Sequence, residues 1–150
     1  MTVRERSDLA VWLLVRDIAR AAGRPKIRPL VYIAGPITGD PWGCVRRAVR
    51  WSSICQNNGC DAYLPQLSVL QEMIEPQLYE YWINLGLNML SRCDGLIRLS
   101  GDSPGADREV EYAKELGLPI IGDASALGDE WDEWIAYVWA QHAYRQETDR

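Results

Sequence analysis

The chain reads as an α/β protein built on a parallel sheet with helices on both faces. Three observations carry that reading. Short apolar runs at 30–34, 62–64, 94–99 and 118–121 alternate with longer stretches of helical periodicity. The first run, Leu30-Val31-Tyr32-Ile33-Ala34, is apolar on both faces and rich in β-branched residues, as a central parallel strand requires. Glycine, proline or asparagine separates most of these elements, and no internal repeat or low-complexity segment interrupts them.

The elements follow in order. Residues 7–22 read as a helix that Ser7 or Asp8 caps, with Leu9, Trp12, Leu13 and Ile18 on one face. A basic linker, 23–29, makes this helix an addition to the domain that covers the sheet or a partner subunit. After the first strand, Gly35 to Pro41 form a loop. Its glycines and Thr38 suit either a phosphate cradle or a plain tight turn. The next helix spans about 42–57, with Val45, Ala48, Val49, Ile54 and Cys55 inward and Arg46, Arg47 and Arg50 mostly outward. Asn57-Asn58-Gly59 ends it, and the second strand, 62–64, stops at Pro65. Residues 66–77 hold a short helix that could flank a site as a lid. A helix at 78–92 buries Tyr81, Trp82, Leu85, Met89 and Leu90. The last helix, 129–145, carries Trp131, Trp134, Ile135, Val138 and Trp139 on one side, a stripe that suits core or subunit interface. His142 lies near its C-terminus, where a cation is favoured, and the tail from Gln146 frays.

The totals limit the function. With 150 residues the chain is one domain with a sizeable core. A net charge of -5 argues against non-specific binding to nucleic acid or anionic membrane, yet leaves room for a local basic pocket for one phosphate. Cys44, Cys55, Cys60 and Cys93 contain no CxxC pair, and one histidine is present, so no zinc site is expected and the thiols read as reduced in a cytoplasmic protein. The apolar run Leu9 to Val15 is only seven residues and flanked by charges, too short for a membrane span or signal peptide.

The chemistry concentrates at Ser103-Pro104-Gly105-Ala106-Asp107-Arg108-Glu109, between the third strand and a helix that Gly117 and Pro119 stop. Serine caps well and proline suits the first helical position. A cap at Ser103 leaves the Gly105 and Ala106 amides free for an anion. The apolar stripe is Ala106, Val110, Ala113 and Leu116 or Gly117, with Glu109 on its edge. Glu109 stands about a turn and a half in, where the helix dipole no longer explains an acid. A carboxylate at the C-terminal edge of the sheet borders the usual ligand crevice. Helix geometry alone favours the plainer reading, a boundary glutamate paired with a nearby arginine.

Three segments together resemble the nucleoside 2-deoxyribosyltransferase superfamily: Val31-Tyr32-Ile33-Ala34-Gly35-Pro36-Ile37-Thr38-Gly39, Arg92-Cys93-Asp94-Gly95, and Ser103-x-Gly105-Ala106-x-x-Glu109-x-x-x-Ala113. The match in order and spacing runs from about residue 30 to 122, closest to a branch common in phages and prophages. The resemblance implies a flavodoxin-like or Rossmann-like sheet of four to five strands and chemistry at an N-glycosidic bond. Glu109 matches the nucleophile that attacks the anomeric carbon, and Tyr32 the tyrosine that orients it, in the logic of a retaining glycosidase. Ser103 matches the serine by which the 2'-deoxynucleoside 5'-phosphate N-hydrolases hold the 5'-phosphate, so the resemblance leans toward a nucleotide. Gly35, Thr38, Gly39, Gly105 and Ala106 complete the implied substrate cradle. The first loop departs from the pattern: Pro36 and Thr38 stand where those hydrolases carry serine and arginine.

A second departure is Gly86, eight residues before Asp94, where the superfamily carries a substrate-binding aspartate. The glycine either clears room for a larger ligand or marks a site without catalysis, with Glu80 or Asn84 as possible substitutes. Asp94, at the start of its strand, reads as structural. The resemblance implies no metal or organic cofactor, a small nucleotide or nucleoside as partner, and a homodimer or larger homo-oligomer in which a neighbouring subunit completes the site. Two other readings stand beside the glycosidase: a non-catalytic nucleotide-binding module, and a glycohydrolase acting on NAD.

Overall fold

Residues 9–11, 13–17, 27–126 and 128–148 are described by the computed structural model. Four parallel strands, β1 (Leu30–Ala34), β2 (Asp61–Tyr63), β3 (Gly95–Arg98) and β4 (Ile120–Gly122), form a sheet in the order β2-β1-β3-β4. From residue 30 onward, the described residues form five helices that connect and cover it: α1 (Pro41–Asn57), α2 (Ser68–Ile74), α3 (Tyr79–Leu90), α4 (Pro104–Glu115) and α5 (Asp129–Thr148). The expected α/β class and Rossmann-like architecture are therefore present. Strand order reverses beside β1, the topological position at which such sheets open a crevice.

Alternation along the strands divides the core in two. Val31, Ile33, Ile97 and Ile121 pack against α1 and α5, where Trp131, Trp134, Ile135, Val138 and Trp139 are all buried. Tyr32, Ala34 and Leu96 point to the other face, against Leu90 of α3 and Ala106 and Ala113 of α4. The tryptophan stripe is thus core within the chain. Gly95 permits the closest approach of α5, since a Cβ there would stand 2.6 Å from Val138 Cγ2.

Local signals set the helix ends. Asp40 caps α1 through the Gly43 amide at 3.0 Å, and Pro41 takes the first position. Gly117, at φ +71°, stops α4, and the Leu118 amide closes on Ala113 O at 3.0 Å. α5 runs to Thr148, beyond the expected fraying at Gln146, and the Thr148 hydroxyl donates to Tyr144 O at 3.1 Å. In α1, Val49 and Ile54 are exposed rather than inward, because Trp51 packs on the core instead. Residues 9–11 and 13–17 are helical, and Arg16 reaches Asp132 at 3.3 Å, which sets this added helix beside α5. Its proposed caps Ser7 and Asp8, its face residues Trp12 and Ile18, the rest of its C-terminal turn and linker residues 23–26 lie outside the described residues.

The α5 contact yields a stability test. Gly95→Ala inserts a methyl against Val138 and the Trp134 ring, 3.3 Å away. Overpacking of this kind costs about 1–3 kcal/mol, so the urea midpoint is expected to fall with an unchanged m-value.

Candidate active site at the end of the first strand

Tyr32 sits two residues before the end of β1, on the face that α3 and α4 cover. Ser103 caps α4, its Oγ accepting from the Ala106 amide at 3.2 Å, and this fixes the helix start after β3. Glu109, in the second turn, comes directly under α3 and is only 7% exposed. The Tyr32 hydroxyl donates to Glu109 Oε1 at 2.6 Å, the short distance of a hydrogen bond to an ionised acceptor. The glutamate is therefore buried at a tyrosine, neither on the helix edge nor ion-paired with an arginine.

Gly86 explains how α3 accommodates the pair. A Cβ at position 86 would stand 2.6 Å from Tyr32 Oη and 3.0 Å from Glu109 Oε1. The glycine makes room for the tyrosine–glutamate pair itself. Neither suggested substitute joins the pair: Glu80 bonds Arg108 at 2.9 Å, and Asn84 is exposed. The buried face of α3 is accordingly Ile83, Gly86 and Leu90: Leu90 is buried as expected, but the face is rotated from Tyr81, Trp82, Leu85 and Met89, and Tyr81 is exposed.

Burial raises the Glu109 carboxyl to about 7, against the opposing pull of the Tyr32 hydrogen bond and the Arg98 charge. Burial, followed by the charge of Glu109 and the hydrogen bond to it, pushes the Tyr32 phenol far above its ordinary value. The tyrosine therefore stays protonated and remains a donor. A carboxyl poised near neutrality beside a fixed donor can serve as nucleophile, base or acid.

Two guanidiniums hold the loop between β3 and α4. Arg98 donates to Leu99 O, to Gly101 O at 3.0 Å and to Asp107 at 2.8 Å. Arg47, from α1, donates to Ser100 O and Ser100 Oγ at 2.7 Å each, and pairs with Asp123. Burial alone would raise the Asp123 carboxyl, but hydrogen bonds from Arg47 and the Ser100 amide hold it below its usual range.

The remaining expected residues divide. Gly35 backs onto β3, where a Cβ would meet Leu99 Cβ at 2.9 Å. Gly105 lies beneath Tyr79 Oη and Ile83, at 3.0 and 3.1 Å from a would-be Cβ. The Ala106 amide is spent on the cap, so it is not free for an anion, in contrast to the expectation from sequence. Thr38 and Gly39 are exposed and make no hydrogen bond to the pair.

Two further residues contact β1 at and beside Tyr32. Tyr63, in register with Tyr32, stacks at 5.4 Å between ring centroids. Its phenol is raised by burial and then by the charge of Glu109. Gln66 is fully buried; its Nε2 donates to Ile33 O at 3.0 Å and its Oε1 has no partner. The available signals were a tyrosine within the second strand and a glutamine directly after Pro65. Among the described residues no group of three or more histidine, cysteine or acidic side chains could hold a metal ion. Nor is any helix among them long and apolar enough to cross a membrane.

A family model described as a domain of unknown function, DUF4406, matches residues 29–122. The chain belongs to this family. No curated protein matches it. The DUF4406 unit spans β1 to β4 and contains Tyr32, Gly86, Ser103 and Glu109, whereas α5 lies beyond it.

The raised carboxyl has a stability consequence. The folded chain holds the Glu109 proton up to about 7, against 4.5 for the free side chain. Its contribution is full below pH 4.5 and is lost as pH rises through 7. The total is on the order of 3 kcal/mol. Glu109→Gln is expected to remove this loss, so that denaturation curves of variant and parent diverge progressively between those pH values.

Proposed function

We propose that this DUF4406 protein acts on the N-glycosidic bond of a nucleotide, by hydrolysis or transfer, with Glu109 as nucleophile. The reading rests above all on the 2.6 Å hydrogen bond between Tyr32 and the buried Glu109. A carboxylate oxygen attacks the anomeric carbon as the bond to the base nitrogen breaks, and the electron pair leaves with the base, which takes a proton. Water or a second base then displaces the carboxylate from the sugar. The Tyr32 donor holds one oxygen and leaves the other for attack, while burial keeps the carboxylate poorly solvated.

Ser103 and Gly105 supply the phosphate end. The Ser103 oxygen accepts from Ala106 and keeps its own proton to donate. The Gly105 amide, in the first turn of α4, has no intrahelical acceptor and faces the positive end of the helix dipole. Thr38 and Gly39 enter this reading only if their loop closes over the substrate.

Incubation with mixed nucleosides, nucleoside monophosphates and NAD, followed by chromatography, tests the proposal. Free base from a monophosphate is expected with the parent and at least a thousandfold less with Glu109→Gln. Tight monophosphate binding without base release would assign a binding module instead, and nicotinamide release would assign NAD cleavage.

The pH dependence provides a second check. The nucleophile must be ionised, so the rate is expected to rise with pH through about 7. Tyr32→Phe removes a bond that favours the carboxylate, and its rising limb is expected at higher pH than the parent's. An unshifted limb would detach Tyr32 from the chemistry.

A further inference from the structure

The opposite end of the sheet carries a separate feature. Beside the starts of β1, β2 and β3 lies a cleft of about 700 Å³, lined by Arg28, Asp61, Arg92, Asp94, His142 and Arg145 among others. Its size falls within the range of small-molecule sites. Leu30 and Asp94 stand at the N-terminal ends of their strands, whereas Tyr32 and Ser103 face the C-terminal end.

The charges in this cleft do not cancel. Asp94 is 3% exposed; its Oδ2 accepts from the Leu30 amide at 2.9 Å and faces His142 Nδ1 at 3.1 Å. Its Oδ1 is buried with no hydrogen-bond donor, and Arg145 Nε lies 3.6 Å away. Arg145 also donates to Ser91 O at 2.9 Å. Arg28 is committed to Gly59 O, Gln56 O and Cys60 O, and pairs with Asp61 at 3.3 Å. Arg92 is exposed; among the described residues its side chain bonds Met89 Sδ at 3.8 Å and has no carboxylate partner. Three guanidiniums against two carboxylates leave one positive charge over, and two when His142 is protonated. This excess sits in a chain whose net charge is -5.

We propose that this cleft is a second, non-catalytic site that binds a phosphate monoester of nucleotide size. Arg92 and the unspent guanidinium N–H groups of Arg145 take the phosphate, whose charge matches the excess. Guanidinium forks suit phosphate oxygens better than any point cation. The organic part occupies the rest of the cleft toward Ile27 and Leu30. The proposal is independent of the glycosidase reading, because none of the lining residues belongs to the Tyr32–Glu109 site.

Amide chemical-shift mapping of the full chain, titrated with 5'-AMP and separately with adenosine, tests it. Saturable shifts at Ser91, Arg92 and His142 are expected with 5'-AMP and not with adenosine. Arg92→Glu, an exposed change with the fold checked by thermal melting, is expected to weaken that binding at least tenfold, while Glu109→Gln leaves it intact. Shifts confined to Ser103–Glu109, no shifts at all, or parental affinity in Arg92→Glu would each overturn the second site. Shifts at Ser91, Arg92 and His142 alone would uphold it even if the chain released no base.

Discussion

One hydrogen bond constrains most of what surrounds it. A carboxyl removed from water needs a partner, because an uncompensated buried charge costs several kcal/mol. Tyr32 provides that partner from the floor of the sheet, and Glu109 receives it from a helix that begins after the neighbouring strand. For the two to meet, α3 must come close without a side chain at the point of contact, and Gly86 meets that requirement. The carboxyl that results titrates near neutrality, a property Glu109 would not have on an exposed helix face.

The scaffold fixes the position of α4 by holding the loop that precedes it. Carbonyls of Leu99, Ser100 and Gly101 are each taken by a guanidinium, from Arg98 or Arg47. Arg47 comes from the opposite face of the sheet and also engages Asp123 beyond β4, so the loop is tied to both sides of the core. The two ends of the sheet differ in kind. Acid and phenol meet within the C-terminal half of the strands, whereas an excess of arginine gathers at their starts. Asp94 links the second arrangement to the fold, since the carboxylate that faces His142 and Arg145 also holds the first amide of β1.

Much of this was legible in the residues. Alternation of apolar runs with amphipathic stretches was enough for the fold class, since only a covered parallel sheet buries strands on both faces. The tryptophans of α5, the cap at Ser103 and the stop at Gly117 followed from spacing and from simple backbone chemistry. The face of α3 did not. Periodicity counts side chains, and the closest approach of α3 is made at a residue that has none. The reading therefore takes Tyr81, Trp82, Leu85 and Met89 together with Leu90, whereas the buried residues are Ile83, Gly86 and Leu90. Gln66 escaped notice for a related reason: a polar residue beside a proline looks like an ordinary turn until its burial is known.

The sequence by itself determined the order of the elements, their caps and stops, and the presence of a glutamate where the helix dipole gives no reason for one. These are local properties, set by side chains within a turn or two of one another. The resemblance already pointed to Tyr32, 77 positions away, as the partner of Glu109; only the tertiary structure decided that Glu109 is buried and that α3 passes the pair at Gly86, a residue without a side chain. Those outcomes depend on strand register and on the distance between packed layers, which are set by the whole core at once and are written at no single position in the chain.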